Sequence, residues 1–361
     1  MNYLAVLGRE PAISIAELTA LFDDVKQISD NLATFTAGTA DINRLGGSLK
    51  LAVKLDSSPL EYLRTLPDGK ITVGVSDYSK HASKKSATIE ALKLKKILVR
   101  HDRSVRVVEN KDAILSTATS LHNGLSGKND RKCELIKVND DWYKVVGIQD
   151  IDAYAKRDQA RPARDARVGM LPPKLAQILI NLCGPLPQGS RILDPFCGTG
   201  VVLQEAILMG YHAYGTDISD RMIEYSDKNL KHFNFINYKL ETDDATKHKW
   251  EQPVDAVACE GYLGQPMSQI PSEMKLKEQK QECNSIILGF LKNLSTQIKP
   301  GTPVVVAAPA WLRPDNTYSR LEILDEISDM GYNVSKTSRD GLLYHRDKQI
   351  VARDIIILRK N

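Results

Sequence analysis

Cysteine is scarce and badly spaced for chemistry. Cys133, Cys183, Cys197, Cys259 and Cys283 are odd in number, form no Cys-x-x-Cys pair and have no His at ligand spacing, which argues against a disulfide framework and against structural zinc. An uninterrupted apolar run of about 18 residues, the minimum for a membrane span, is missing as well. The start, Met1 to Glu10, lacks the charged region, apolar core and cleavage site of a signal peptide. A Gly-x-x-x-x-Gly-Lys phosphate loop and a Ser-His-Asp arrangement are also absent. These absences predict a cytoplasmic protein with no metal and no membrane partner.

At 361 residues the chain is long for one compact domain, and two or three modules are expected. The net charge of +4 is small, but its distribution is uneven. Between Lys80 and Lys144 there are 15 Lys or Arg against 8 Asp or Glu, a surface suited to a polyanion. The same residues also fit a solvated helix face, since Lys93, Lys95, Lys96 and Arg100 lie on an amphipathic segment.

Three parts and a linker are expected: 1–56, 57–148, 149–170 and 171–361. In the first, a strand (Tyr3 to Leu7) precedes a helix that Ser14 and Glu17 would open as a capping box. Strand, helix and strand follow at Lys70 to Val75, Lys84 to Val99 and Ser104 to Val108. A second helix at Ala113 to Gly124 and a strand pair closing across Asn139-Asp140-Asp141 complete a further α+β unit. The segment 149–170, polar and twice Arg-Asp, reads as a linker. From Leu171 onward strands and helices alternate as in a doubly wound α/β domain. A helix is expected over Ser319 to Gly331, followed by strand-like segments at Val334 to Arg339, Leu342 to His345 and Asp354 to Arg359. An antiparallel hairpin at such a sheet edge fits a class I methyltransferase and not a dinucleotide-binding fold.

The most informative run is Ile192-Leu193-Asp194-Pro195-Phe196-Cys197-Gly198-Thr199-Gly200, followed by Tyr214-Gly215-Thr216-Asp217-Ile218. An apolar strand entering Gly-x-Gly lets backbone approach a nucleoside closely, and an acid at the tip of the next strand accepts from ribose hydroxyls. A nicotinamide site would require a third glycine where Leu203 stands. The run looks like an S-adenosylmethionine site: Asp217, about 17 residues beyond Gly200, stands where a carboxylate orients the ribose, and the resemblance to methyltransferases implies that Asp194, ahead of the turn, faces the cofactor's ammonium group.

Further residues carry a resemblance. The stretch from Arg157 through Arg161-Pro162-Ala163-Arg164-Asp165, then Gly169-Met170-Leu171-Pro172-Pro173-Lys174, is similar to the junction of THUMP-domain RNA methyltransferases. The similarity is greatest to the archaeal and eukaryotic tRNA (guanosine N2) methyltransferases that act at position ten. Leu45 to Lys50 and Val73 to Ser76 resemble landmarks of their N-terminal half. The resemblance implies a ferredoxin-like module, a THUMP module that docks tRNA, and a catalytic domain that methylates an exocyclic amine. It implies a cofactor set of Asp194, Phe196, Gly198, Gly200, Asp217, Ile218, Asp243, Asp244 and Ala245, either Asp243 or Asp244 meeting the adenine amino group. An N-cap is the alternative for Asp244.

At the end of the fourth strand the chain departs from that family. Amino-directed methyltransferases carry Asp, Asn or Ser, then Pro-Pro, then an aromatic; here the stretch is Cys259-Glu260-Gly261-Tyr262. Either Cys259 takes the acceptor position, or Glu260 does so in a loop one residue shorter. The second alignment is preferred, with Glu260 holding the amine and Tyr262 stacking on the base. Arg157, Arg161 and Arg164 are expected to contact RNA, unless their Asp neighbours pair them off internally. Three functions stay open: a tRNA guanine-N2 methyltransferase, the same chemistry on another RNA or DNA, and an RNA-binding protein with a vestigial cofactor fold. A helper subunit is not excluded by the sequence.

Overall fold

The structure is a computed structural model, and it describes residues 1–164, 171–346 and 349–361. The chain divides into two compact units, Met1–Ala153 and Tyr154–Asn361.

The first unit is built on one eight-stranded sheet. In chain order it contains β1 (Asn2–Leu7), α1 (Pro11–Leu21), β2 (Asp23–Ser29), β3 (Leu32–Thr36), β4 (Ser48–Lys54) and α2 (Pro59–Thr65). There follow β5 (Ile71–Asp77), α3 (Lys84–Arg100), β6 (Val105–Val107), α4 (Thr117–His122), β7 (Lys132–Val138) and β8 (Asp141–Ile148). The strand order is β2-β3-β1-β4-β8-β7-β5-β6. β1 reads apolar almost throughout because it is central, flanked by β3 and β4, whereas β2 is an exposed polar edge. β4 pairs antiparallel with β8, so the sheet runs without a break across the boundary expected at 56/57.

The expected capping box at Ser14 is not formed. The helix begins at Pro11, as proline's fixed φ and missing N–H favour, which puts Ser14 and Glu17 inside it. Both instead bind the loop that leads into β4: Ser14 Oγ donates to the Gly47 carbonyl at 2.6 Å, and Glu17 accepts from Gly46 N and Gly47 N. In α3, Ala87, Ala91, Leu94 and Leu98 form the buried stripe while Lys93, Lys96 and Arg100 stay exposed. The next expected helix is shorter than 113–124, because Ser116 caps α4 at its own start.

One charged group lies deep in this sheet. Lys50 of β4 is 1% exposed, and its Nζ reaches Glu134 Oε1 on β7 at 2.6 Å, the Leu115 carbonyl at 2.7 Å and Ser120 Oγ at 3.0 Å. Glu134 also accepts from Ser76 Oγ and Ser120 Oγ, both at 2.6 Å. Every donor and acceptor is matched, as burial of a pair demands.

The second unit holds a nine-stranded sheet. α5 (Ile151–Gln159) carries the boundary, so the described part of the expected linker is largely helical. Then come α6 (Pro173–Asn181), β9 (Arg191–Asp194), α7 (Val201–Leu208), β10 (His212–Asp217), α8 (Asp220–His232), β11 (Tyr238–Thr242), β12 (Ala256–Glu260), α9 (Glu273–Ser295) and β13 (Pro303–Leu312). β14 (Tyr318–Ser319), α10 (Leu324–Asp329), β15 (Tyr332–Val334), α11 (Lys336–Asp340), β16 (Leu343–Tyr344) and β17 (Val351–Lys360) complete it. The order is β11-β10-β9-β12-β13-β17-β15, with β14 on β13 and β16 on β17. β9 to β13 are parallel, and β17 runs antiparallel beside β13. The helix expected over 319–331 is confined to α10. The strand expected over 334–339 gives way to α11, since Ser335 caps a helix there by accepting from Ser338 N.

Candidate active site

Ligands of doubly wound sheets lie beyond the carboxyl ends of the parallel strands, and three acids end strands here: Asp194 on β9, Asp217 on β10 and Glu260 on β12. They line one cavity of about 1300 Å³.

The glycine turn follows β9. Gly198 (φ +50°) and Gly200 (φ +81°) adopt left-handed backbone, and a Cβ at Gly200 would lie 2.9 Å from Ser226 Oγ. Asp217 is tied to this turn: its carboxylate accepts from Gly198 N and from Ser219 N, each at 2.9 Å. Burial raises its pKa and those two N–H groups oppose the rise. Asp194 is 2% exposed and accepts from Phe196 N at 3.1 Å. Burial lifts its carboxyl well above the ordinary range, Asp217 and Glu260 add to the rise, and the Phe196 N–H counters it. Phe196 packs edge-on against Phe290 at 5.2 Å and lines the cavity.

Ile218, 74% exposed, and Ala245, 5% exposed, also line the cavity. Of the two aspartates left open by the sequence, Asp244 is the one on the cavity wall. Its Oδ1 accepts from Thr246 N at 2.9 Å and Thr246 Oγ1 at 2.8 Å, so it caps the turn as well. Asp243 does not line the cavity; its carboxylate pairs with His248 Nδ1 at 2.7 Å.

Cys259 is fully buried in the core, whereas Glu260 lines the cavity. Alternation along β12 forces this difference, because successive side chains face opposite sides of a sheet. Glu260 Oε1 accepts from Arg353 Nε at 2.7 Å. Burial raises the Glu260 pKa, and the Arg353 guanidinium opposes that rise. Tyr262 donates through its hydroxyl to Glu282 Oε1 at 3.0 Å; burial and that carboxylate push its phenol up to about 12. Arg353, Glu282 and Gln279 were not picked out from the sequence. Arg353 had a signal, an Arg-Asp pair inside the otherwise apolar run of β17.

The linker arginines are used differently from expectation. Arg161 is 3% exposed, with Nη1 donating to Thr199 Oγ1 at 3.1 Å in the glycine turn and Nη2 reaching Asp158 Oδ1 at 3.4 Å. Enclosure on that scale keeps it from a phosphate backbone, so its expected RNA contact is corrected to a role behind the turn. Asn229 braces the same turn, donating to the carbonyls of Thr199 and Ala163 at 2.9 Å. Arg157, half-buried, donates to Glu205 Oε1 at 2.9 Å and stacks over Tyr154 at 4.2 Å, so its internal partner is Glu205 and not the Asp neighbour that the sequence suggests. Arg164 is exposed. Asp165, Gly169 and Met170 of the junction lie outside the described residues.

The strand order, its antiparallel edge and the acid-lined glycine turn define a class I methyltransferase fold. Comparison with known proteins agrees: a family model described as a methyltransferase domain matches residues 186–338, and one described as a DNA methylase matches 78–228. A solved structure of TrmN from Thermus thermophilus aligns over 100% of both chains at 16% identity, with a TM-score of 0.52. In sequence, the chain is 32% identical over 157 residues to the tRNA (guanine(10)-N2)-dimethyltransferase of Methanothermobacter thermautotrophicus. It is 39% identical over 97 residues to the protein of that name from Pyrococcus abyssi. These stretches cover 43% and 26% of this chain, and the chain spans less than half of each relative, 44% and 29%.

Proposed function

We propose that this protein is an S-adenosylmethionine-dependent methyltransferase acting on the exocyclic N2 amine of a guanosine in tRNA. The observation that carries the reading is the meeting of Glu260 and Tyr262 with Asp194, Gly198 and Asp217 in one cavity. The names borne by the sequence relatives support guanine N2 as the acceptor and leave room for a second methyl transfer to the same nitrogen.

The residues present fit the cofactor. Asp217 would take the ribose hydroxyls, Asp194 the ammonium, and Ile218 with Ala245 the adenine faces. The Asp244 carboxylate, with both of its turn-capping bonds on Oδ1, would accept from the adenine amino group through Oδ2, which it would share with the exposed Lys247 Nζ 3.5 Å away. Bound there, S-adenosylmethionine supplies an electrophilic methyl group.

The acceptor amine is a poor nucleophile because its lone pair is conjugated with the base. Glu260, accepting an N–H, would hold the amine so that the lone pair faces the methyl donor. Tyr262 would stack on the base, its ring angle set by Glu282. The nucleotide must leave its helical stack to reach this cavity, at a cost of roughly a few kcal/mol, part of which stacking offsets. In this reading the N-terminal unit contains the THUMP module, and its exposed α3 lysines together with Arg164 meet tRNA phosphates.

Labelled methyl transfer from S-adenosylmethionine to unmodified tRNA, followed by nucleoside digestion, tests the proposal. N2-methylguanosine or N2,N2-dimethylguanosine is expected. Because a DNA methylase model also matches, duplex and single-stranded DNA are the comparison substrates; methylation of DNA alone would overturn the tRNA assignment.

A further inference from the structure

We propose that Arg353 and Glu282 are positioning residues of the acceptor loop 260–265, supplying through side chains from β17 and α9 the order that two prolines supply through backbone restriction in amino-directed methyltransferases. The proposal rests on the reading that Glu260 and Tyr262 meet the base.

The loop Glu260-Gly261-Tyr262-Leu263-Gly264-Gln265 contains two glycines and no proline, a composition that loses more conformational entropy on ordering than most. Something outside the loop must hold it. On one side, Arg353 reaches across an intervening strand. β13 separates β12 from β17, with Glu260 opposite Ala307 and Pro309 opposite Arg353. Register and alternation put these four residues on one face, and the short side chains of Ala307 and Pro309 leave the long arginine room to cross. Its Nε meets Glu260 Oε1 at 2.7 Å and its Nη1 meets Gln349 Oε1 at 3.3 Å. Oε2 of Glu260 makes no hydrogen bond among the described residues, so one carboxylate oxygen is fixed and the other is left for an amine.

On the other side, two residues one turn apart on α9 grip the far end of the loop. Glu282 accepts from the Tyr262 hydroxyl at 3.0 Å through Oε1 and from Gln279 Nε2 at 3.1 Å through Oε2. Gln279, 1% exposed, accepts in turn from Gln265 N at 2.7 Å. The acceptor and the stacking ring are thereby anchored independently, one from the sheet and one from a helix.

Amide exchange across residues 260–265 is measured together with kcat, KM for tRNA and S-adenosylmethionine affinity, for Arg353→Met, Arg353→Lys, Glu282→Ala and Glu282→Gln. Arg353→Met and Glu282→Ala are expected to speed exchange at Gly261 and Gln265 by roughly tenfold or more. They should also lower kcat by a similar factor, with cofactor affinity held within about threefold. Glu282→Gln, whose one amide oxygen can still accept from Tyr262 but leaves Gln279 Nε2 without its acceptor, should recover part of the loss, and so should Arg353→Lys. Unchanged exchange and unchanged kcat in the Met and Ala variants would overturn the proposal. If Arg353→Met fails to fold, the Lys and Gln variants carry the same comparison. If the wild type methylates no nucleic acid, the assignment of function fails while the exchange data still decide whether these residues order the loop.

Discussion

Asp194 and Asp217 end neighbouring strands of one sheet, Asp194 directly opposite Gly215, yet their carboxylates are held unequally. Asp217 accepts two backbone N–H groups; Asp194 accepts one and is almost wholly enclosed. This inequality gives the first prediction. The folded Asp194 carboxyl sits well above its ordinary range, so the native state keeps a proton that the unfolded chain releases. Stability must then fall as pH rises above about 4, where the unfolded carboxyl ionises. Asp194→Asn removes that slope: its melting temperature should match the wild type near pH 3.5 and exceed it at pH 7. Isothermal titration should show weaker S-adenosylmethionine binding by the same variant, the cofactor ammonium having lost its partner.

Glu260→Ala should abolish methyl transfer while leaving cofactor affinity within a few fold, measured by single-turnover methylation and titration. Arg353 takes Oε1 of Glu260, and ionisation makes Oε2 a charge-assisted acceptor for the amine N–H, so in the proposed role the rate should climb with pH through a midpoint above the usual carboxylate range. Burial sets that midpoint high, while Arg353 and, more weakly, Arg346 hold it down. Arg353→Met should shift the rise to higher pH.

Arg161 is buried and Arg164 exposed, so the two are expected to act differently if the protein binds tRNA as proposed. Arg164→Ala should reduce the salt dependence of tRNA binding by about one phosphate contact, a change of roughly 0.7–0.9 in the log–log slope. Arg161→Met should leave that slope unchanged and weaken cofactor binding through the released Thr199 hydroxyl. A salt titration by filter binding reads the first effect, and calorimetry the second.

Gly200→Ala places a side chain at φ +81° and within 2.9 Å of Ser226 Oγ. The backbone alone costs about 1–2 kcal/mol, and Ser226, which also donates to the Gly198 carbonyl at 2.8 Å, would be displaced. A melting temperature lower by several degrees is expected, with part of the loss restored by adding Ser226→Gly.

The cofactor half was legible because its chemistry sits in consecutive residues. Asp194 to Gly200 and Asp217 to Ile218 announce strand, turn and strand tip from spacing alone. Glu260 and Tyr262 were found by comparison with the family's acceptor loop, and both line the cavity; alternation along β12 accounts for why Glu260 and not Cys259 faces it. Arg353 and Glu282 escaped because each acts across a sheet or from a helix far along the chain, and no local period encodes that. Ser14 and Glu17 misled for the opposite reason: the pattern fits a capping box, but tertiary bonds to Gly46 and Gly47 claim both side chains. Arg161 reads as a phosphate fork, and only burial distinguishes that from a brace behind a glycine turn.

The Lys50–Glu134 pair sets a rule for anyone dividing this protein. Cutting the chain at 56/57 would take Lys50 with one fragment and leave Glu134 with the other, stranding an uncompensated charge in an apolar interior, a loss of about 3–5 kcal/mol for a broken buried pair. The same cut would bare facing ladders on β4 and β8, two new sticky edges made from what was the middle of a sheet. The N-terminal half is therefore to be kept as the one unit 1–153, and any exchange of its parts would have to carry lysine, glutamate and both serines together.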